Sequence, residues 1–283
     1  MRNLLITGGT GTLGRALLDK AIKSRKFSTI SILSRDENKQ HEMKKYYPDV
    51  NFIIGDVRDA FPISGVTDVF HCAALKHVDL GERWPAEFER TNFGGTLNTL
   101  NRTMPKNFCF FSTDKAVLPI NAYGYTKALA EKALVNFNCN TNINIYRWGN
   151  IVGSRGSAIP NFVRCVLKGD PISVTDKRMT RFWLTIEDAA NYVFETFEAI
   201  HEEQPLICPK IKSAPIMGVI DAIGYITGLP ISVKEIGIRP GEKLHECLRS
   251  GHDFCVRSDN CAQYSMDELI DLIRPTVLAV TND

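Results

Sequence analysis

Between Cys109 and Lys127 the chain reads CFFSTDKAVLPINAYGYTK, which gathers hydroxyls, an acid, an amine and a phenol close together. The apolar run Cys109-Phe110-Phe111, bounded by polar residues, predicts the end of a buried strand. Ser112, Thr113, Asp114 and Lys115 follow it, Pro119 breaks the chain, and Tyr123 and Lys127 stand four apart at the start of a predicted helix. Residues at that spacing share a helix face, so phenol and ammonium point into one space. A tyrosine phenol has an ordinary pKa of about 10, and a neighbouring ammonium with a positively charged nicotinamide ring favours its phenolate. Tyr123 can then take a proton from a substrate hydroxyl as a hydride leaves for the nicotinamide. Lys127 would also hold the nicotinamide ribose, and Thr113 is placed to hydrogen-bond the same oxygen. This set suits alcohol–ketone chemistry.

Asp114 and Lys115 exceed what hydride transfer needs. Once a sugar is oxidised to a ketone, the neighbouring C–H becomes acidic. A base can remove that proton while an acid expels a β-hydroxyl as water. Lysine serves as the base if its pKa falls from about 10.4 towards about 7–8, which burial or a nearby cation would do. The plainer alternative is a surface ion pair or a cap, which the position directly after a buried strand disfavours.

These side chains need elements to place them. Asn3–Thr7 (NLLIT) predicts a short strand, and the turn Gly8-Gly9-Thr10-Gly11-Thr12-Leu13-Gly14 leads into a helix with Leu17, Leu18 and Ala21 at helical spacing. Glycines at 8, 11 and 14 permit a tight turn, close approach to a pyrophosphate and close helix–strand packing, with the helix N-terminus facing the phosphates. The second strand, Thr29–Leu33, ends in Ser34-Arg35-Asp36-Glu37. Arg at a strand tip accommodates a 2′-phosphate, whereas an acid there binds the ribose of NAD. Ser34 and Arg35 hold the tip and Lys39 adds charge, so NADP is expected over NAD; a solvated charged loop is the alternative.

Further strands are expected at Val50–Ile54, before Asp56 and Val57, and at Val69–Cys72, before Ala73-Ala74-Leu75-Lys76. Asp56 could read the adenine amino group, and the paired alanines leave room for cofactor ribose and pyrophosphate. A helix over Ala86–Asn101 carries Asn92, unfavourable in mid-helix and so expected to have a specific partner. Gly94-Gly95 predicts a close crossing or a local break.

Strand Ile143–Tyr146 leads to Arg147-Trp148-Gly149-Asn150, and the Gly/Ser-rich run from Ile151 to Ile159-Pro160 reads as a substrate-covering loop. Ile172–Val174 suggests a strand, and Thr175–Phe182, dense in charge, a phosphate-binding rim. Helices are expected over Glu187–Ala199, capped by Thr185, over Val219–Thr227, and over Met266–Ile273 after Ser265. Gly237–Glu246 is a charged turn in which His245 is expected to hydrogen-bond rather than ligate a metal.

The 283 residues can bury a full core, expected as one α/β domain of about two-thirds of the chain plus a smaller C-terminal part. Lys and Arg number 34 against 32 Asp and Glu, with no basic block, so nucleic acid is not an expected partner. The cysteines at 72, 109, 139, 165, 208, 247, 255 and 261 form no CxxC pair and read as reduced thiols. Glycines interrupt the N-terminal apolar run and no run of 18 apolar residues occurs. No signal peptide, membrane span or metal centre is expected, and the cytoplasm is the default.

With these motifs in place, the sequence resembles the extended short-chain dehydrogenase/reductases, and within them the NADP-dependent UDP-N-acetylglucosamine 4,6-dehydratases that invert C5, of the polysaccharide-biosynthesis type. The resemblance runs from Gly8 to about Glu246. It is carried by TGGTGTLG, SRDE, GDVRD, AALKHVD, TNFGGT, STDKAV, YGYTK, RWGNIVGSRGS, TDKRMTRFW and RPGEKLHE.

The resemblance implies a Rossmann-like, doubly wound parallel sheet. Residues 1–168, with 181–208 returning, would form the NADP-binding domain, and 169–180 with 209–283 a smaller substrate-binding region. It implies Asp114 as the acid aiding water loss, Lys115 as the C5 base, Tyr123 as the hydride-step base, Lys127 as its partner and Thr113 as a hydrogen-bonding neighbour. Gly8, Thr10, Gly11, Thr12, Leu13, Gly14, Ser34, Arg35, Lys39, Asp56, Val57, Ala73, Ala74 and Lys76, together with Tyr123 and Lys127, would contact the cofactor. Lys76, Asn150, Arg181, Arg239 and Glu242 would hold the nucleotide sugar.

The implied product is UDP-2-acetamido-2,6-dideoxy-β-L-arabino-hex-4-ulose, on routes such as pseudaminic acid, made by a homo-oligomer, dimer or hexamer. A related retaining, often membrane-anchored branch has methionine at the position of Tyr123, and Tyr125 departs from a usual alanine. Two alternatives stay open: a 4-epimerase or reductase using Tyr123 and Lys127 alone, and an NADP-binding regulatory protein without turnover.

Overall fold

Apolar runs too short to cross a domain as helices fold here as parallel strands, most of them followed by a helix that covers the sheet. The computed structural model describes residues 1–137, 140–200, 206–251 and 254–282, so Cys139 lies outside the described residues. The chain divides into two units, Met1–Arg147 with Ala190–Cys208 and Trp148–Ala189 with Pro209–Asp283.

In the first unit β1 (Asn3–Thr7), α1 (Thr12–Ser24), β2 (Thr29–Ser34), α2 (Glu37–Lys44), β3 (Asn51–Ile54) and β4 (Asp68–His71) succeed one another. Helices α3 (Val78–Arg83), α4 (Pro85–Phe88) and α5 (Gly95–Thr103) follow, then β5 (Asn107–Thr113), α6 (Ala122–Val135) and β6 (Asn142–Trp148). With Leu206–Ile207 on the outer edge, the seven-stranded parallel sheet runs Leu206–Ile207, β6, β5, β4, β1, β2, β3. The order reverses between β1 and β4, where Thr7 pairs with His71. That reversal opens a crevice at the strand carboxyl ends, where ligands of such sheets bind.

Both faces of the sheet are covered, which explains why its strands read as continuous apolar runs rather than alternating ones. Leu5, Leu33, Val69, Phe108, Phe110, Ile143 and Ile145 pack on one side with Val57, Leu100, Ala130 and Leu134. On the other, Phe70 meets Phe27, Phe194 and Phe197 edge-on at 6.4, 5.6 and 5.4 Å between centroids. Each buried aromatic or aliphatic side chain of this kind contributes about 1.5–3 kcal/mol.

The helix expected over Ala86–Asn101 is instead three pieces: α4, a π-helical turn Glu89–Gly94, and α5. Asn92 sits in the π turn, and a Cβ on Gly95 would lie 2.7 Å from Val57 Cγ2. The double glycine therefore marks both the break and the close crossing.

The second unit is built on a three-stranded sheet, Ser213–Pro215, Thr180–Leu184, Asn150–Ile151, with Ile172–Val174 paired to Val233–Glu235 and a hairpin of Cys247–Ser250 and Cys255–Arg257. Its core packs Trp183, Val163, Ile220, Ile223, Ile273 and Val277. The loop expected to run to Ile159-Pro160 already turns helical at Ala158, in α7 (Ala158–Lys168). A proline in the first helical turn gives up an N–H that has no intrahelical partner there. Ile159, Val163 and Val166 then form the buried stripe. Helix α8 (Ile186–Thr196) is capped by Thr185, whose Oγ1 accepts the Asp188 N–H at 3.0 Å. Helix α9 spans Ile216–Thr227, and α10 (Met266–Thr281) starts at a Ser265/Glu268 capping box and continues through Pro275. His245 accepts the hydrogen-bonding role expected of it, with Nδ1 2.8 Å from Thr180 Oγ1.

Candidate active site

Strand β5 is buried along its whole length and ends two residues later than its apolar run, so Ser112 and Thr113 belong to it. The backbone then winds into a single 3₁₀ turn, Asp114–Ala116, whose Lys115 N–H is accepted by Thr113 Oγ1 at 3.4 Å. Thr113, Asp114 and Lys115 are thereby fixed at the carboxyl end of the strand. Asp114 is fully buried, and its Oδ1 accepts bonds from Thr113 Oγ1 and Lys115 Nζ, both at 3.0 Å. The Lys115 side chain keeps 18% of its exposure. The pair is an ion pair, as the plainer alternative had it, but one whose carboxylate is fully buried and whose ammonium is partly so.

Helix α6 brings the second half of the set to the same place. Asn121 caps it, its side chain accepting the Gly124 N–H at 2.7 Å. Tyr123, half-buried, meets Phe88 edge-on with centroids 6.5 Å apart. Lys127 is buried, with Nζ 3.8 Å from the centre of the Phe110 ring on β5. Burial lowers its pKa to about 7, against the opposing charge of Glu131.

The glycine turn follows β1 as expected. Gly8 adopts φ +63, its N–H bonds Leu33 O at 2.8 Å, and Gly11 N–H bonds Gly8 O at 2.9 Å. A Cβ on Gly8 would lie 2.8 Å from Ala73 Cα, and one on Gly14 2.6 Å from Gly9 Cα. Side chains at 8 or 14 would strike backbone, so the turn stays bare and close-packed at the start of α1, where Thr12 and Leu13 lie. Ala73 is tied to β1 by its N–H on Thr7 Oγ1 at 3.3 Å, with Ala74 exposed beside it.

At the tip of β2, Ser34 Oγ accepts from Gln40 at 2.8 Å, while Asp36 caps α2 by accepting the Lys39 N–H at 3.0 Å. Lys39 Nζ also bonds Asp36. Arg35 remains half-exposed, 3.5 Å from Asp56. Burial pushes the Asp56 carboxyl up, but bonds from Arg58 overcome this and hold it below its usual range. Val57 is buried against Gly95, and Lys76 stands exposed between β4 and α3.

In the second unit Asn150 pairs with Trp183. Arg181 is turned to its own chain: it donates to the carbonyls of Thr180, Leu244 and Lys243 at 2.7, 3.1 and 3.0 Å. Arg239 is exposed, and its N–H bonds the Glu242 carboxylate at 3.3 Å. Among the described residues no cluster of three His, Cys, Asp or Glu could hold a metal ion, and no helix is long and apolar enough to cross a membrane.

A glycine turn at the switch point, a Thr-Asp-Lys turn and a Tyr/Lys helix thus coincide on one sheet. Over residues 4–267 the sequence matches the family described as polysaccharide biosynthesis protein. The chain belongs to that family. As a polysaccharide biosynthesis protein it is 40% identical over 267 residues to a UDP-N-acetylglucosamine 4,6-dehydratase (inverting) of Campylobacter jejuni subsp. jejuni serotype O:2, spanning 89% of this chain and 78% of that one. It is 37% identical over 276 residues to a UDP-glucose 4-epimerase of Rickettsia canadensis, spanning 91% and 80%. Among solved structures, Pen from Bacillus thuringiensis superposes with a TM-score of 0.87 at 29% identity, covering 97% of each chain.

Some participants were not legible in the sequence by role. Asn92 was expected to have a partner; it has three bonds, accepting Leu75 N–H at 2.8 Å and donating to Leu75 O at 2.9 Å and Thr126 Oγ1 at 3.2 Å. It holds the segment after Ala74 against the helix of Lys127. His71, between Thr7 and Thr96, and Gly124, between two tyrosines, carried no local signal beyond their types.

Proposed function

We propose that the chain is an NADP-dependent UDP-N-acetylglucosamine 4,6-dehydratase that inverts C5, giving UDP-2-acetamido-2,6-dideoxy-β-L-arabino-hex-4-ulose. The observation that carries this reading is the Asp114–Lys115 ion pair beside the Tyr123/Lys127 helix. One proton passed across its 3.0 Å bond turns ammonium and carboxylate into amine and carboxylic acid. These are the base and the acid that elimination needs. The amine of Lys115 takes the C5 proton, Asp114 gives its proton to the departing C6 hydroxyl, and the ion pair is restored as water leaves.

Tyr123 removes the C4 hydroxyl proton in the preceding step, with Lys127 favouring its phenolate and Thr113 bonding the same oxygen. The bare backbone at Gly8, Gly11 and Gly14 fits a dinucleotide, which when bound supplies a hydride acceptor that is regenerated within the cycle. Thr10, Thr12, Leu13, Ala73, Ala74, Lys76, Asp56 and Val57 complete its proposed contacts. Ser34, Arg35 and Lys39 are the proposed contacts that favour NADP over NAD, a preference supported by the engagement of Asp36 in capping α2. Asn150, Arg181, Arg239 and Glu242 are the proposed contacts of the nucleotide sugar. The same reading places the enzyme in the cytoplasm, as a homo-oligomer, on a route such as that to pseudaminic acid.

Relatives named as 4-epimerases give a second reading, oxidation and reduction at C4 by Tyr123 and Lys127 without dehydration. Incubation with UDP-N-acetylglucosamine in deuterated water separates them. The expected product has lost one water, carries deuterium at C5 and shows inverted C5 by NMR. Product of unchanged mass and altered C4 would establish epimerisation, and absence of any product would sink both.

A further inference from the structure

Tyr123, Lys127 and Glu131 recur every four residues along α6 and so line one face of it. The first two act in the proposed hydride step; the third is buried and has no part in it. A buried carboxylate is tolerated only when clamped by donors. Glu131 is: Ser112 Oγ bonds Oε1, Arg147 Nε donates to Oε1 at 3.1 Å, and Arg147 Nη2 donates to Oε2. Ser112 directly precedes Thr113 on β5 and Arg147 lies on β6, so this clamp pins α6 to two strand ends, one turn beyond Lys127.

The groups facing Lys127 come from three elements. Tyr123 and Glu131 share its helix, His71 and Cys72 lie at the end of β4, and Phe110 on β5 presents its ring. His71 is held neutral by burial and by the Lys127 charge, and burial keeps the Cys72 thiol protonated. Glu131 supplies the negative charge in this set, and Arg147 binds that carboxylate through two of its nitrogens.

We propose that Glu131 is a positioning residue for Lys127, clamped in place by Ser112 and Arg147, and that the Glu131–Arg147 pair sets how readily Lys127 keeps its proton. This rests on the dehydratase reading only in making Lys127 a working residue; its test needs no turnover. A lysine that loses its proton more easily folded than unfolded makes stability rise with pH from its folded pKa, about 7, to about 10.4. Unfolding of the full chain from pH 5 to 10, compared at each pH with Lys127→Met in the same background, reads the lower edge of that rise.

Glu131→Gln keeps hydrogen-bonding groups but removes the charge, and should move the edge down by about one pH unit. Arg147→Gln leaves the carboxylate facing Lys127 and should move it up. Ser112→Ala removes a clamp without changing charge and should leave it in place. Edges that do not move, or that move the same way in Glu131→Gln and Arg147→Gln, overturn the proposal. Shifted edges in a protein that dehydrates no UDP-sugar would uphold it while sinking the proposed reaction.

Discussion

A Cβ on Gly124 would lie 2.2 Å from the carbonyl oxygen of Lys115 and 3.1 Å from its carbon. The first turn of α6 therefore rests backbone to backbone on the 3₁₀ turn that presents Asp114 and Lys115. This contact sets the spacing between the Asp114–Lys115 turn and the helix of Tyr123 and Lys127. Neither side of it is a flexible side chain that could move away.

Gly124→Ala should accordingly force the two turns apart. Displacing a reacting group by about 1 Å can cost about 100-fold in rate, and overpacking costs about 1–3 kcal/mol in stability. We expect kcat for UDP-sugar dehydration to fall at least tenfold, with a loss of that size in urea unfolding. A variant with wild-type kcat would show that this seat does not set the catalytic geometry.

Lys115→Ala divides the two reactions considered. Loss of a general base costs about 10²–10⁴-fold, so dehydration should fall by at least the lower figure. Exchange of the C4 hydrogen with the cofactor, which the proposed mechanism assigns to Tyr123 and Lys127, should persist. Mass spectrometry of C4-deuterated substrate checks both. If dehydration survives in Lys115→Ala, another residue removes the C5 proton.

Arg35 decides the cofactor prediction. Asp36, the acid that would otherwise meet an adenosine ribose, is occupied in capping α2, while the Arg35 guanidinium is half-exposed. A hydrogen bond to a charged group is worth about 1.5–3 kcal/mol. Arg35→Ala should therefore weaken NADP binding by roughly 10–150-fold while changing NAD binding little, as measured by titration calorimetry. Equal effects on both would place the 2′-phosphate elsewhere.

The parts of this arrangement that could be read in advance are those with a local signature. β1, the glycine turn and the Tyr-to-Lys spacing follow from apolar runs, glycine placement and helical period, each decided within a few residues. Strand β5 outran its apolar stretch because pairing carries Ser112 and Thr113 into the sheet where hydropathy does not mark them. Helix α7 was hidden because Ser157 and Pro160 look like loop residues until they are recognised as a helix start. Asn92 was flagged by its poor propensity, but its partners on Leu75 and Thr126 are distant in sequence. The acid partner of Lys115 stood next to it throughout; what composition could not give was the direction of its side chain.

His71 offers a pH test of the crevice itself. Ala73 N–H is accepted by Thr7 Oγ1, and Thr96 Oγ1 donates to Asn92 O at 2.7 Å. With those directions set, Thr7 Oγ1 donates to His71 Nδ1 at 2.9 Å and His71 Nε2–H donates to Thr96 Oγ1 at 3.1 Å. The chain of bonds requires the neutral Nε2–H tautomer, because a bare Nε2 would face Thr96 Oγ1, whose proton is already given to Asn92 O. Burial first, and the Lys127 charge second, lower the His71 pKa to about 3. An unfolded histidine titrates near about 6.5. Between about 6.5 and 3 the unfolded chain thus binds one more proton, and the stability His71 permits is lost as pH falls, by at most about 1.4 kcal/mol per pH unit. Other acid-sensitive groups add to the total, so the informative quantity is the difference between wild type and His71→Gln in urea unfolding at pH 7, 6, 5 and 4. That difference should shrink steadily below about pH 6.5, and ¹⁵N NMR should show Nε2 protonated and Nδ1 bare down to pH 5. A constant difference, or an Nδ1–H signal at pH 7, would mean that Thr7 and Thr96 do not hold the ring as these bonds require.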